Sequence, residues 1–258
     1  IEKAICKPCL YDLSFGLFDI VKPNAQLIFP YTIQAAKAEV FSEDYFQQNF
    51  PLTWAYLNNF KEPLSKRSIN GNSPKWYQYG RSQSLTRFHN TPKLIWSVLS
   101  TKPPYVFDEN NLQFTGGGNG PYYSLFTNSN YSLHYILGIL AHPLFEAMVK
   151  AGASEFRGAY YSHGKQFIEN LPIRKIDFAI ADEKKLHDEL VKTVKKLIET
   201  KAAYNEVYLG AKKKVLQHKM DLLFGSLITQ VNSLYGISNE EMNSVLNDEE
   251  LNNELNEE

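Results

Sequence analysis

The sequence predicts an α+β fold, in which a mixed-sheet domain is followed by a C-terminal helical segment. Before residue 180, short apolar and aromatic runs bounded by turn residues alternate with helix-like patterns. After Asp182, apolar residues recur at helical spacing as far as Leu234. The charge changes at the same place, since residues 1–180 carry 17 Lys/Arg and 13 Asp/Glu whereas residues 181–258 carry 10 and 15. We therefore expect a first domain over residues 1–178, a helical segment over 179–247 and a disordered acidic tail over 248–258.

Length and composition limit the class of protein. A chain of 258 residues with 43% hydrophobic and 14% aromatic residues can bury one large core or two smaller ones. It contains no apolar run near the ~20 residues of a membrane helix and no N-terminal signal sequence, so we expect a soluble, cytoplasmic protein. The sequence begins at Ile1 and becomes structured-looking at once, which suggests a piece of a longer polypeptide.

The two cysteines, Cys6 and Cys9, form a Cys-Lys-Pro-Cys pattern. A structural zinc site needs four nitrogen or sulfur ligands, and no second pair at metal-ligand spacing follows. A redox dithiol needs a strand before it and a helix after it, whereas Pro8 and the residues after Cys9 indicate a turn. We expect neither a metal site nor a redox site here.

Turn and cap residues place the elements of the first domain. Gln26–Tyr31 predicts an edge strand, Ser42 predicts the N-cap of a short helix, and Pro51 fits the first turn of another. Two further strands, at 93–99 and 122–126, flank a predicted hairpin at 105–114 that turns at residues 108–111.

Helical spacing predicts the remaining elements. Apolar residues between 131 and 150 indicate a pair of helices, with Pro143 at the start of the second. In the helical segment, two helices with a break near Gly210 are as well supported as one long helix. Gly236 ends this segment, and Ser238 with Glu241 fits a capping box for a further short helix.

Three short motifs suggest chemistry but fail on their details. The Lys-Pro-Pro-Tyr sequence at 102–105 resembles the tetrapeptide with which amino-methyltransferases hold a flipped base, but that chemistry needs a hydrogen-bond acceptor first, and lysine has only donors. The glycines at 116–118 lack the spacing of a phosphate-binding loop. Asp177, Glu183 and Lys185 are the residue types of a nuclease site, but the last two open a charged helix.

The six histidines, at positions 89, 134, 142, 163, 187 and 218, are scattered without metal-ligand spacing. His134 and His142 flank a predicted core helix, where packing roles are commoner than ligand roles. We therefore expect no catalytic and no metal-binding residue in this chain.

The most informative segment runs from Lys61 to Lys102. It carries eight Lys/Arg residues against the single acid Glu62, a net charge of +7 in a chain whose total is −1. Aromatic and amide residues between Trp76 and Trp96 are interleaved with these cations. Lys and Arg neutralise phosphates, and Arg, Gln and Asn can also form paired hydrogen bonds with base edges. The alternative interpretation is a solvated face over an aromatic core.

Several short segments follow one another in a specific order. They are 28–31 (Ile-Phe-Pro-Tyr), 76–85, 92–95 (Pro-Lys-Leu-Ile), Phe107-Asp108, the Gly-rich loop with Pro121-Tyr122, 135–140, 160–162, 168–173 and 231–241. Their order resembles the TaqI-like C-terminal specificity domain of type IIG restriction-modification enzymes and related adenine-specific DNA methyltransferases. The resemblance covers residues 20–245. The chain departs from the family pattern at 138–143, because the family usually carries Leu-Asn-Ser after the apolar helix.

The resemblance implies a division of labour within a longer prokaryotic enzyme. An upstream methyltransferase domain of the same polypeptide would bind S-adenosylmethionine and carry the catalytic tetrapeptide, often after a Mg-dependent nuclease domain. The present part would be a target-recognition domain that selects a double-stranded DNA sequence, without a cofactor or a catalytic residue of its own.

Charge and resemblance together indicate the candidate DNA-binding residues. The phosphate candidates are Lys66, Arg67, Lys75, Arg81, Arg87, Lys93 and Lys102, with the alternative for Lys93 that it only flanks a buried strand. The base-reading candidates are Tyr79, Arg81, Gln83 and Asn119, and the same cleft is expected to include Arg157, Tyr161 and Lys165.

Two alternatives stay open. The chain could be half of a type I restriction specificity subunit, which usually has two recognition halves separated by long helices. It could also be a protein-interaction module that does not bind DNA and that docks a partner on the helices of residues 182–235.

Overall fold

The computed structural model describes residues 1–35, 37–71, 73–81, 85–115, 120–127, 130–238, 240–242 and 244. The chain divides into two compact units. Unit 1 comprises Ile1–Leu13, Lys22–Pro92 and Glu109–Phe114, and unit 2 comprises Ser14–Val21, Lys93–Asp108 and Thr115–Glu258. The domain limits predicted from the sequence stay predictions, and the predicted acidic tail lies outside the described residues.

Unit 1 combines small antiparallel sheets with three short helices. A 3-10 turn at Lys3–Ile5 precedes the first strand. The strands are β1 (Cys6–Cys9), paired with β2 (Ala25–Ile28), and β3 (Tyr31–Gln34), paired with β4 (Lys37–Val40). The helices are α1 (Glu43–Asn49), α2 (Pro51–Asn58) and α3 (Lys61–Ser65).

Local rules place the helices of unit 1 correctly. The Ser42 hydroxyl accepts a hydrogen bond from the Tyr45 backbone N–H at 3.2 Å, so Ser42 is the N-cap of α1 as predicted. Pro51 occupies the first turn of α2, which is also confirmed.

The start of α2 is capped by a residue that is distant in sequence. The Glu2 carboxylate accepts hydrogen bonds from the backbone N–H groups of Leu52 and Thr53, at 2.8 Å each. Burial alone would raise the pKa of Glu2, but these bonds and one from the Thr53 hydroxyl outweigh it and lower the pKa to about 2. Glu2 therefore stays ionised and satisfies free amides at the helix N-terminus.

Two sequence predictions about β1 and the segment that bridges to it are wrong. Cys6 and Cys9 bound a strand rather than a turn, because β1 pairs along its length with β2. The predicted hairpin at 105–114 does not form within one sheet. Instead, Gln113 bridges to β1, where its N–H donates to the Pro8 carbonyl and its carbonyl accepts from Leu10 N–H, both at 2.8 Å. Residues 109–114 thereby belong to unit 1.

Unit 2 contains two three-stranded sheets and five helices among the described residues. The sheets have the orders β7–β5–β8 and β6–β10–β9, and all their strand pairs are antiparallel. The strands are β5 (Lys93–Ser97), β6 (Leu99–Ser100), β7 (Tyr105–Asp108), β8 (Tyr122–Leu125), β9 (Glu155–Phe156) and β10 (Tyr160–Ser162). The helices are α4 (Leu133–Leu140), α5 (Pro143–Gly152), α6 (Lys165–Ile168), α7 (Ala181–Glu206) and α8 (Gly210–Tyr235).

Helix α4 lies at the centre of unit 2. Seven of its eight residues are buried, because it packs against β7 and β5 and also against α7. At Gly138 the approach is so close that an added Cβ would lie 2.9 Å from Leu190 Cδ1 and 3.0 Å from Val194 Cγ2, both on α7. Pro143 starts α5 as predicted.

The helical segment forms as expected, and of the two arrangements left open it has two helices, with the break just before Gly210. Helices α7 and α8 are joined by three residues and pack against each other as an antiparallel pair. Gly236 ends α8 with φ 67°, and Ser238 and Glu241 exchange the two hydrogen bonds of a capping box.

The predicted α+β class with a C-terminal helical segment is thus confirmed. Within the described residues, the expected mixed sheet is replaced by four small sheets whose named strands all pair antiparallel. Among the helices that the structure describes, none is both long and apolar enough to cross a membrane.

Candidate nucleic-acid interface

In unit 1, residues 75–81 of the basic segment form a loop whose aromatic side chains turn inwards. The Tyr77 hydroxyl donates to the Phe41 carbonyl at 2.6 Å, and the Tyr79 hydroxyl donates to the Ile28 carbonyl at 2.5 Å. The Tyr79 backbone N–H donates to the Tyr31 hydroxyl at 2.7 Å. The loop is therefore fixed to the strands of its own unit by polar contacts at two tyrosines.

Burial keeps both phenols neutral, so that they act as donors. It raises the pKa of Tyr77 to about 12, with a smaller contribution from the negative charge of Glu43, and it raises the pKa of Tyr79 further. Tyr79 packs against Tyr31, with ring centroids 5.1 Å apart. The hydroxyl donor that base reading would need is thus already taken by a backbone carbonyl and the ring is packed, and the role of Tyr79 as a base reader stays a prediction.

Arg67 braces the same loop. Its guanidinium donates to three backbone carbonyls: Leu64 at 3.0 Å, Trp76 at 2.9 Å and Gln78 at 3.0 Å. The side chain remains exposed, so its charge still faces solvent. Arg67 thus holds the loop in shape and also contributes positive potential at its surface.

The other cations of the basic segment in unit 1 lie at the surface. Lys66 pairs with Glu62 at 2.6 Å, and both side chains are highly exposed. Lys75 lies 4.0 Å from Glu43, with 40% of its side chain exposed. Arg81 is exposed, and no ion pair joins it to another described residue; Arg87 is exposed as well. Surface pairs of this kind are weak, so phosphates can displace them.

The position of Lys93 corrects the prediction that this residue contacts a phosphate. Its side chain is 0% exposed. Its ammonium lies 2.5 Å from the carboxylate of Asp108, the residue directly opposite it on β7. Burial lowers the pKa of Lys93, while the hydrogen bond to Asp108 acts in the opposite direction. Lys93 is a core residue of unit 2 and cannot contact a phosphate from this position.

The remaining candidates of unit 2 lie around the β9–β10 hairpin and its neighbours. Arg157 is exposed in the hairpin turn, and Lys102 is exposed just after β6. Lys165 pairs with Glu169 at 3.2 Å across one turn of α6. The Tyr161 hydroxyl donates to Glu155 at 3.4 Å. Gln83 and Asn119, the two amide candidates, lie outside the described residues.

Sequence reasoning missed the most exposed aromatic pair of unit 2. Phe156 and Tyr160 keep 49% and 46% of their surface exposed, on either side of the Arg157 turn. The available signal was the Arg-Gly-Ala sequence between aromatic residues, which is typical of a short hairpin with a glycine in its turn.

The buried histidines have structural partners. His142 is the N-cap of α5, where Nδ1 accepts from Leu144 N–H at 3.2 Å, and Nε2 lies 3.1 Å from Asn232 Oδ1 on α8. Burial lowers the pKa of His142 to about 4, against the opposing effect of the Asn232 hydrogen bond. His163 Nε2 lies 3.0 Å from the buried Glu146 carboxylate. These contacts tie helices and loops of unit 2 together.

The acids of the nuclease-like motif have structural partners in the described part of the chain. Glu183 accepts from the Asp177 backbone N–H at 2.7 Å and lies 3.6 Å from Arg174, so these acids organise the start of α7. Among the described residues, no group of three His, Cys, Asp or Glu side chains could bind a metal ion. Asp177 and Glu183, which already have these partners, therefore do not fit a Mg²⁺ site.

Comparison with known proteins gives one informative relationship. No family model matches the chain. Over 202 residues, covering 74% of this chain, it is 29% identical to the type II restriction enzyme and methyltransferase RM.Eco57I of Escherichia coli. The match spans 20% of that protein, so the chain corresponds to about a fifth of the relative's length. The chain is related in sequence to one part of a restriction-modification protein.

Proposed function

We propose that this chain is the DNA target-recognition part of a type IIG restriction-modification enzyme with a TaqI-like specificity domain. The observation that carries the proposal is the loop of unit 1, which turns its aromatic side chains inwards and leaves Lys66, Lys75 and Arg81 at the surface. A braced loop holds its cations in place, so less conformational entropy is lost when a phosphate backbone binds. The relationship to part of RM.Eco57I supports the same assignment.

The proposal assigns different chemistry to different parts of the enzyme. An upstream methyltransferase domain of the same polypeptide would bind S-adenosylmethionine, and Mg²⁺ would serve a nuclease domain, in the cytoplasm of a prokaryotic cell. This chain would supply contacts to duplex DNA. Lys102, Arg157 and Lys165 are the proposed contacts in unit 2, since all three are exposed.

The test measures binding of the 258-residue chain to a fluorescent duplex of mixed sequence by anisotropy, at several salt concentrations. We expect Lys75→Ala with Arg81→Ala to weaken binding about tenfold or more at low salt. The salt slope should fall by about 2, because each of the two cations would neutralise one phosphate. The matched control is Lys184→Ala with Lys185→Ala, because it removes the same charge from exposed lysines of α7.

The outcomes separate the competing functions. Equal affinity of all three proteins, without a salt dependence, would contradict duplex binding. That result would favour the alternative in which the α7–α8 pair docks a protein, since Tyr208, Leu209, Val215 and Leu222 are 95%, 75%, 68% and 63% exposed there. Selection of bound duplexes from a random pool would then measure sequence specificity.

A further inference from the structure

The small sheet β6–β10–β9 presents two aromatic rings on one face. Tyr160 lies directly opposite Phe156 in the antiparallel pair, and Ser162 lies opposite Leu99. Side chains alternate between the faces of a strand, so Tyr160 and Ser162 share one face with their partners Phe156 and Leu99. Tyr161 points to the other face.

The face that carries Tyr160 is open to solvent. Leu99, Phe156 and Tyr160 are 48%, 49% and 46% exposed. Burial of such side chains stabilises a protein, and unit 2 leaves much of this stabilisation unrealised at three neighbouring positions. Adjacent exposed apolar side chains of this kind are typical of a binding surface.

The opposite face is already occupied. The Lys150 ammonium lies 5.6 Å from the centroid of the Tyr161 ring, and the Tyr161 hydroxyl donates to Glu155. A cation on one aromatic face and a polar partner at its tip leave Tyr161 little room for a ligand. The open face of the sheet is thus distinct from the packed one.

The hairpin turn fixes a cation beside the open face. Arg157 begins a three-residue turn whose other members, Gly158 and Ala159, have φ values of 83° and 57°. A turn with two residues in the left-handed region is a defined hairpin geometry, so the position of Arg157 is set by the backbone. The Tyr160 ring lies close to Gly158, where an added Cβ would be 3.7 Å from Tyr160 Cδ2.

The charge around this sheet favours a polyanion. Residues 97–105 and 150–169 contain Lys102, Lys150, Arg157 and Lys165 against two acids, Glu155 and Glu169, a net charge of +2. A ligand with flat apolar faces and regularly spaced negative charges matches exposed rings next to cations. Unpaired nucleobases on a phosphate backbone have both properties.

We propose that the open face of β6–β10–β9 binds single-stranded DNA, with unpaired bases stacked on Phe156 and Tyr160 and the backbone phosphates neutralised by Arg157 and Lys102. The choice of DNA rests on the proposed function, since a DNA-modifying enzyme meets unpaired bases whenever its duplex is opened. Stacking is tolerant of sequence, so this face holds an opened strand and does not select a site.

The test compares two labelled 12-nucleotide strands by anisotropy, using the whole chain. One strand has mixed bases and the other is abasic with the same number of phosphates. We expect the wild-type protein to bind the base-containing strand more tightly, and Phe156→Ala with Tyr160→Ala to weaken that binding ~10–100-fold while the abasic strand is bound as before. The matched control is Tyr11→Ala with Tyr56→Ala, which removes two rings of unit 1 that are 71% and 44% exposed.

Folding and the alternatives are checked in parallel. Phe156→Leu with Tyr160→Leu retains apolar area but removes the ring faces, so it should lose the preference for bases while the circular dichroism spectrum stays that of the wild type. Equal binding of the two strands by the wild-type protein, or tighter binding of an RNA strand of the same sequence, would overturn the inference.

Failure of this inference and failure of the proposed function give different results. Salt-dependent duplex binding without any preference for bases in the single strand would overturn only the stacking face. A preference for bases that depends on Phe156 and Tyr160, together with absent duplex binding, would overturn only the proposed duplex contacts.

Discussion

Two segments of similar composition, one in each unit, are built in opposite ways. In the loop at 75–81 of unit 1, Tyr77 and Tyr79 are packed and donate to backbone carbonyls. In the hairpin at 155–161 of unit 2, Phe156 and Tyr160 remain about half exposed. A tyrosine is buried without penalty only where an acceptor meets its hydroxyl, and unit 1 provides such acceptors. Neighbouring partners, rather than composition, therefore decide which face of a basic aromatic segment is presented to a ligand.

The largest expected effect on stability comes from comparing a buried cation, Lys93, with an exposed one, Arg81. Lys93→Met leaves the Asp108 carboxylate buried without its cation, so we expect the free energy of unfolding to fall by about 3–5 kcal/mol. Arg81→Met should change it by less than about 0.5 kcal/mol, because Arg81 is exposed. Chemical denaturation followed by circular dichroism measures both.

The double variant Lys93→Met with Asp108→Leu is the control for the buried pair. It removes both charges, so much of the lost stability should return. Equal stability of the Lys93 and Arg81 single variants would show that the two cations have similar environments, contrary to the structure.

A smaller effect is expected at the tyrosines. Tyr79→Phe removes the donor to the Ile28 carbonyl and should destabilise the protein by about 1–2 kcal/mol. Tyr160→Phe should change stability by less than about 0.5 kcal/mol, because its ring is exposed. Urea denaturation of the two variants side by side measures the difference. A cost at Tyr160 as large as at Tyr79 would mean that the hairpin ring is packed too.

The smallest expected effect is on the pH dependence of stability, which should differ between groups in the two units. In unit 2, the pKa of His142 lies near 4, below its usual value of 6.5, so the unfolded chain takes up this proton first. The stability contributed by neutral His142 is therefore present above pH 6.5 and is lost as the pH falls towards 4. In unit 1, the pKa of Glu2 lies near 2, below its usual 4.5, so its contribution is lost only as the pH falls from 4.5 towards 2.

Matched variants assign these two windows. His142→Asn keeps an N-cap acceptor but does not titrate, so it should flatten the decline in stability between pH 7 and pH 5. Glu2→Gln should leave that decline unchanged and flatten the decline below pH 4.5. Denaturation midpoints at pH 7, 5 and 3 measure both. A steep decline between pH 7 and pH 5 that persists in His142→Asn would assign it to another group.

Features set by local chemistry could be predicted from the sequence. The Ser42 cap, the Pro51 helix start and the left-handed Gly236 all follow from conformational preferences of single residues. The capping box of Ser238 and Glu241 depends on a spacing of three residues and was found in the same way.

Features set by distant partners could not. Gln113 bridges to Cys9 of β1 and not to a neighbouring strand. Because this partner lies more than 100 residues earlier in the chain, no local pattern predicts the contact. Lys93 and Lys75 are the same residue type, and only the position of Asp108 on the paired strand places one of them in the core. The brace formed by Arg67 has no signature in sequence, since its acceptors are backbone carbonyls.

The close approach at Gly138 has a mechanical consequence. At Gly138, helix α7 fits against α4 with room for no more than a hydrogen atom, so a side chain there would press on Leu190 and Val194. A larger residue at position 138 would therefore act as a wedge between α4 and α7, so this glycine sets how closely the long helix approaches the centre of unit 2.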